Sequence, residues 1–234
     1  MQIHGLQKMT LLDFPGKVAC TVFTGACDFR CPFCHNFELV DGTAPAIMSD
    51  NELYAFLEKR RGLLDGVAVT GGEPCLHKDL PQMLRRIKEM GYAVKLDTNG
   101  NHPQLLEQIL SDGLADYVAM DVKNSPEKYA LTIGLEAFRL DRVRESIALL
   151  ISAAADLKFD YEFRTTVVKE FHEAQDFDGI GAMIRGARRY FLQCFTDRDS
   201  VPYEGLHAPS RQDLEQFAEI SRKYVEEVQL RGID

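Results

Sequence analysis

Cys27, Cys31 and Cys34 fall within eight residues, separated by three and then two positions, in Cys27-Asp28-Phe29-Arg30-Cys31-Pro32-Phe33-Cys34-His35-Asn36. An iron–sulfur cluster of the [4Fe–4S] type ordinarily takes four cysteines. Three close together with no fourth nearby predict a cluster with one iron left open to a small molecule. Zinc also accepts thiolates, and His35 stands where a fourth ligand could come from. Structural zinc sites, however, pair two knuckles, and no second knuckle follows. Cys20, Cys75 and Cys194 are isolated. Cys20 reads as a buried strand residue, because free cysteine packs like a small hydrophobe.

Four other groups of residues carry chemistry. Gly71-Gly72-Glu73-Pro74 reads either as a plain turn or as backbone open to a ligand, with Glu73 meeting a cation such as an α-amino group. Asp97-Thr98-Asn99-Gly100 reads either as turn chemistry or as a hydroxyl-and-carboxylate set for a ribose or a small cation. Asp121 and Lys123 share a strand face, so Lys123 is placed to pair with Asp121, with a ligand carboxylate, or with both. Arg164 lies in a later strand. His4, His77, His102, His172 and His207 are scattered and are expected at the surface.

These residues need a scaffold that gathers them. The 234 residues are 45% hydrophobic and 27% charged, enough for a sizeable core, and read as a single domain over 1–234. Apolar runs at 18–23, 67–70, 93–97, 117–121, 161–168 and 190–195 read as buried strands, with 228–231 a closing one. Helical spacing follows Ser49 (with Glu52, a capping box), and recurs at 80–87, 105–110, 143–151, 177–189 and after Ser210. Alternating strands and helices predict an α/β fold with a parallel sheet, either an open six-unit barrel or a doubly wound sheet. Each chemical motif ends a different strand, which favours the barrel, since parallel barrels work at their carboxyl rim. A net charge of −9 argues against nucleic acid as a partner. No apolar run reaches the ~20 residues of a membrane span. With no leader pattern at the start, a cytoplasmic location is expected.

The cysteine triplet, Gly-Gly-Glu-Pro and the later Thr-Asn-Gly, in that order, resemble the radical S-adenosylmethionine (SAM) superfamily over most of residues 13–123. Asp13-Phe14-Pro15-Gly16-Lys17 and Cys34-His35-Asn36 are similar to the activases of glycyl radical enzymes, above all the longer type that serves anaerobic ribonucleoside-triphosphate reductase. That resemblance implies an open, partial (βα)6 TIM-like barrel. It implies that Cys27, Cys31 and Cys34 ligate three irons of a [4Fe–4S] cluster and are the catalytic residues, with SAM on the fourth iron. Phe33 would contact the adenine; Gly71, Gly72 and Glu73 the amino group; Lys123 and Arg164 the carboxylate. Asp97 and Thr98, with the Met120 backbone, would hold a monovalent cation, while Asn99 belongs to the same SAM-binding segment. Asp13 and Asn36 resemble residues near SAM or the reacting glycine. The implied reaction cleaves SAM to a 5′-deoxyadenosyl radical with an electron from flavodoxin or ferredoxin, and makes a glycyl radical on the reductase. A radical SAM enzyme acting on a small deazapurine precursor, and a zinc-stabilised interaction module, are the alternatives. One departure stands out: the family usually has Gly before the first cysteine, where this chain has Ala26.

Overall fold

The apolar runs become strands in the structure, a computed structural model that describes residues 1–154 and 158–233. Strands β1 (Gln2–Ile3), β2 (Gly5–Thr10) and β3 (Ala19–Thr24) come first. Helix α1 (Phe37–Asp41), β4 (Met48–Ser49) and α2 (Asp50–Glu58) lead to β5 (Gly66–Gly71). Then α3 (Leu80–Glu89) precedes β6 (Ala93–Thr98), and α4 (Pro103–Ser111) precedes β7 (Tyr117–Asp121). Helices α5 (Tyr129–Thr132) and α6 (Asp141–Ala153) precede β8 (Asp160–Val167), α7 (Ala174–Met183) precedes β9 (Arg189–Cys194), and α8 (Arg211–Ser221) precedes β10 (Glu227–Arg231).

Strand order decides between the two expected architectures. One eight-stranded sheet runs β10-β9-β8-β7-β6-β5-β3-β2, and β1 pairs with β4. From β3 to β10 every neighbour is parallel and follows in chain order, whereas a doubly wound sheet reverses its order at a switch point. The sheet is therefore wound one way, as in a barrel, with β2 and β10 left as its two edges. The register pairs Thr24 with Gly71, Thr98 with Met120, Asp121 with Arg164 and Val167 with Cys194, so the carboxyl ends lie level and their loops share one rim. Among the described residues no helix is long and apolar enough to cross a membrane.

Outward strand residues meet the helices. Val67, Val69, Val94, Leu96 and Val118 are fully buried with Leu84, Ile87 and Ile109, each worth about 1.5–3 kcal/mol when removed from water. The capping box read at Ser49 is formed, and Ser210, read as the start of the last helix, forms one with Asp213. Inside the barrel the floor is Phe14 against Tyr117, 6.2 Å between ring centres, with Ala19 and Ala119. Above it Glu162 accepts from Tyr117 (2.6 Å) and from both terminal nitrogens of Arg231.

Three expectations are corrected. The helix read at 177–189 is α7, which starts earlier because Glu173 and Asp176 form a capping box, and ends before Gly186. The N-terminal segment, given no element from sequence, supplies the antiparallel edge strand β2, whose residues Gln7, Lys8 and Met9 are exposed and so show no apolar period. Of the five histidines expected at the surface only His207 is exposed; His172 is buried. Val168 N–H donates to its Nδ1 (3.1 Å), and its Nε2 lies 2.9 Å from the Lys123 carbonyl, pinning the end of the β7 loop.

Candidate active site

The β3–α1 loop carries the three cysteines. Ala26 enters it with φ +63°, the left-handed region that side chains avoid, and is the one residue other than glycine there among the described residues. That strain explains why Gly is usual at this position. The loop is tied down on both sides: Ala26 N–H donates to Leu39 O (2.8 Å), Ala26 O accepts from Glu73 N–H (2.8 Å), and Arg30 N–H donates to Ile133 O (2.8 Å). Gly71 and Gly72 are demanded by this same approach. A Cβ on Gly71 would sit 2.4 Å from Thr24 N, and one on Gly72 1.9 Å from Ala26 O. Gly71 packs on the end of β3 and Gly72 on the cysteine loop, and both still line the cavity with their other side.

Cys27, Cys31 and Cys34 line one open cavity of about 400 Å³, within the range that holds small ligands. Burial pushes the Cys27 thiol up to about 12 and the Cys31 thiol up to about 11, and raises Cys34 as well. A metal centre supplies the positive charge that ionises such thiols. Phe29 N–H points at Cys27 Sγ (3.4 Å). Among the described residues no three His, Cys, Asp or Glu groups converge as a single ion requires. His35 is turned away, Nε2 at 2.7 Å from Thr196 O and its ring stacked on Phe195. The single-zinc alternative therefore lacks its expected fourth ligand. A four-iron cube, which spreads three thiolates over three irons, fits this donor set.

Glu73 is 1% exposed. Its carboxylate accepts from Cys75 N–H (2.9 Å), Thr98 Oγ1 (2.8 Å) and Asn99 N–H (2.6 Å). Burial still pushes it up to about 7. Glu73 thus lines the cavity while joining the β5 and β6 loops, a structural duty the sequence did not reveal. Asn99 continues the chain of contacts: its Nδ2 donates to Asp28 Oδ1 (2.8 Å). Asn101 Nδ2 donates to Asp28 Oδ2 (2.6 Å), and His102 Nε2 lies 3.1 Å from the same oxygen. Burial opposes ionisation of Asp28, but His102, Asn101 and Asn99 together hold it down at about 2. Neither Asp28, Asn101 nor His102 was singled out from sequence.

Deeper in the barrel lies a charge ladder. Asp97 pairs with Lys95 and with Arg164 (3.1 Å); Asp121 pairs with Lys123 (2.9 Å) and with Arg164 Nε (2.5 Å). The expected Asp121–Lys123 pair is thus present. Burial works against both carboxylates, yet Arg164, with Lys95 or Lys123, holds each below the usual range. Three cations meet two anions, leaving one positive charge for a ligand carboxylate. At the expected monovalent-cation position Asp97 is already matched by two basic groups, while Thr98 Oγ1 donates to Glu73 and accepts from Gly100 N–H (3.1 Å). Met120 is wholly buried, its methyl beneath Gly100. Phe33 is buried against Phe171 and lines the cavity. Asn36 donates weakly to Gly71 O (3.5 Å), and Asp13 accepts from Thr21 Oγ1 (2.6 Å). Both line the cavity, as do Asn99, Thr166, Gln193 and Arg198. Gln193 and Arg198 were not foreseen as site residues.

A family model described as the radical SAM superfamily matches residues 21–170. The chain is 29% identical over 241 residues to a Methanocaldococcus jannaschii protein carrying the provisional name of glycyl-radical enzyme activating enzyme, covering 99% of this chain and 96% of that one. It is 31% identical over 128 residues to the pyruvate formate-lyase-activating enzyme of Clostridium pasteurianum, covering 53% of this chain and 52% of that one. Among solved structures, Streptococcus suis SuiB bound to S-adenosylmethionine superposes with a TM-score of 0.67 at 14% identity, covering 89% of this chain and 49% of SuiB.

Proposed function

The chain belongs to the radical SAM superfamily, whose members use a [4Fe–4S] cluster and SAM, and on that premise we propose that it activates a glycyl radical enzyme. The single observation that carries the reading is positional. Asp13 and Asn36, from the two motifs similar to the activases, line the same cavity as Cys27, Cys31 and Cys34. The near full-length likeness to the Methanocaldococcus jannaschii protein supports it. Anaerobic ribonucleoside-triphosphate reductase is the partner the motif resemblance favours, with flavodoxin or ferredoxin as electron donor.

In this reading Cys27, Cys31 and Cys34 hold three irons. The Gly71–Gly72 backbone and Glu73 receive the SAM amino group, Phe33 the adenine, and Lys123 with Arg164 the carboxylate. When bound, cluster and SAM supply a one-electron cleavage of the sulfonium and a carbon radical able to take hydrogen from an unactivated C–H bond. The chain's own part is to orient and to exclude water. Buried Phe29 and Phe33 wall the cavity, and the ladder fixes charge at its base. A backbone glycine suits the target because no side chain blocks its Cα.

The test is anaerobic incubation of the reconstituted protein with SAM, a reductant and the reductase. A glycyl radical EPR doublet on the reductase is expected, and its absence with Cys31→Ala. Turnover of a small molecule with no protein partner, or SAM cleavage retained by Cys31→Ala, would overturn the reading.

A further inference from the structure

We propose that Asp28 sets both the position and the reduction potential of the cluster through Cys27, a role that rests on Cys27 being a cluster ligand. Asp28 follows Cys27 directly, yet its carboxylate is held from across the fold. Asn99, Asn101 and His102, some seventy residues on, all meet it, at 2.8, 2.6 and 3.1 Å. These residues form the loop leaving β6. The segment is itself braced: Asn101 N–H donates to Asn99 Oδ1 (2.9 Å), and Gly100 O accepts from Ser146 Oγ (2.7 Å). Asn101 turns its amide nitrogen to Asp28 although this leaves its oxygen buried without a partner. An orphaned buried acceptor is costly. The contact with Asp28 is what that arrangement secures.

Two features point beyond a simple tether. Asp28 Oδ1 lies 3.9 Å from Cys27 Sγ, so a carboxylate stands beside the first cluster sulfur. Asn99 Nδ2 also lies 3.9 Å from that sulfur, but at 2.8 Å from Asp28 Oδ1 it is committed to the carboxylate. Net charge and hydrogen bonds to the sulfurs are among the terms that set a cluster's potential. A nearby negative charge disfavours adding an electron. Diverting an amide donor away from sulfur acts in the same direction. Both keep the cluster strongly reducing, which one-electron cleavage of a sulfonium demands.

Potentiometric titration of the reconstituted protein, followed by EPR, tests this without substrate turnover. Asp28→Asn is expected to make one-electron reduction easier by on the order of tenfold, about 59 mV more positive. Asn101→Ala leaves the carboxylate and Asn99 in place and loosens only the hold. It is expected to lose iron to a chelator several-fold faster, with the potential moved less than in Asp28→Asn. An Asp28→Asn protein that binds iron normally and keeps the unsubstituted potential overturns the proposal. So does an Asn101→Ala protein that releases iron at the unsubstituted rate. If the unsubstituted protein takes up no iron and sulfide, the cluster assignment itself fails and this inference with it. Iron uptake with an unmoved potential defeats this inference alone.

Discussion

Around Cys27 the polar side chains answer one another, whereas across the same cavity they do not. Asp28, Glu73, Thr98, Asn99 and Asn101 form a continuous set of hydrogen bonds linking the loops after β3, β5 and β6. On the opposite wall Thr166 and Gln193 are cross-strand neighbours of β8 and β9. With Arg198 they line the cavity, and among the described residues their side chains make no hydrogen bond within the chain. The difference teaches how the work is divided. A wall whose donors and acceptors are spent is rigid before any ligand arrives. A wall whose groups are unspent can offer them to one, because an amide or hydroxyl facing water loses little when it exchanges that water for a ligand. The charge ladder lies between the two: its aspartates are spent on its basic groups, while one surplus positive charge is left for a ligand carboxylate.

The largest effect should come from breaking that ladder. Arg164 bridges Asp97 and Asp121, all three mostly buried. Arg164→Met should destabilise the metal-free protein by about 3 kcal/mol in urea unfolding, the low end for a broken buried pair because Lys95 and Lys123 remain. The pH dependence has a defined sign. Arg164 helps depress both folded carboxyl values, so its contribution is present above the unfolded aspartate value near ~4 and is lost as pH falls through the folded ones. The gap between the two proteins should therefore narrow below about pH 4. An equal gap at pH 7 and pH 3 would show that Arg164 matters by packing alone.

A smaller effect tests the unspent wall. Gln193→Leu and Thr166→Val should leave iron content and partner-independent SAM cleavage near normal while slowing glycyl radical formation about tenfold, the worth of one hydrogen bond of about 1.4 kcal/mol. Loss of iron in either variant would mean the walls are not separate. The smallest effect lies at the entrance to the spent side. Ala26→Gly removes a left-handed alanine and should raise stability by about 1 kcal/mol in the same unfolding assay. A loss of stability would show that the Ala26 side chain makes up for its backbone strain.

Legibility followed sequence distance. Cys27, Cys31 and Cys34 are a local pattern, as are Gly71-Gly72-Glu73, Asp97-Thr98-Asn99 and the caps at Ser49 and Ser210. The cysteines, Gly71-Gly72-Glu73 and Asp97-Thr98-Asn99 all line one cavity, together with Lys123 and Arg164. Asp28 and His102 were invisible because 74 residues separate them and neither type nor spacing marks the pair. His172 was misplaced for the same reason: a lone histidine gives no sign that its ring will cap a buried carbonyl. Strand β2 was missed because an edge strand with three exposed residues carries no apolar signal.

The chain's own order of residues determined the alternation of strand and helix, the thiol trio and the level at which each polar motif leaves its strand, because these depend on periods of two and 3.6 and on residue chemistry within a few positions. Only the folded structure showed the strand order and register that make the expected open barrel, that Gly71 and Gly72 pack on Thr24 and Ala26 while lining the cavity, and that Asp28 and Glu73 are gripped from the β6 loop. Those outcomes arise from contacts between distant segments, and such contacts exist only once packing has brought the strand ends level.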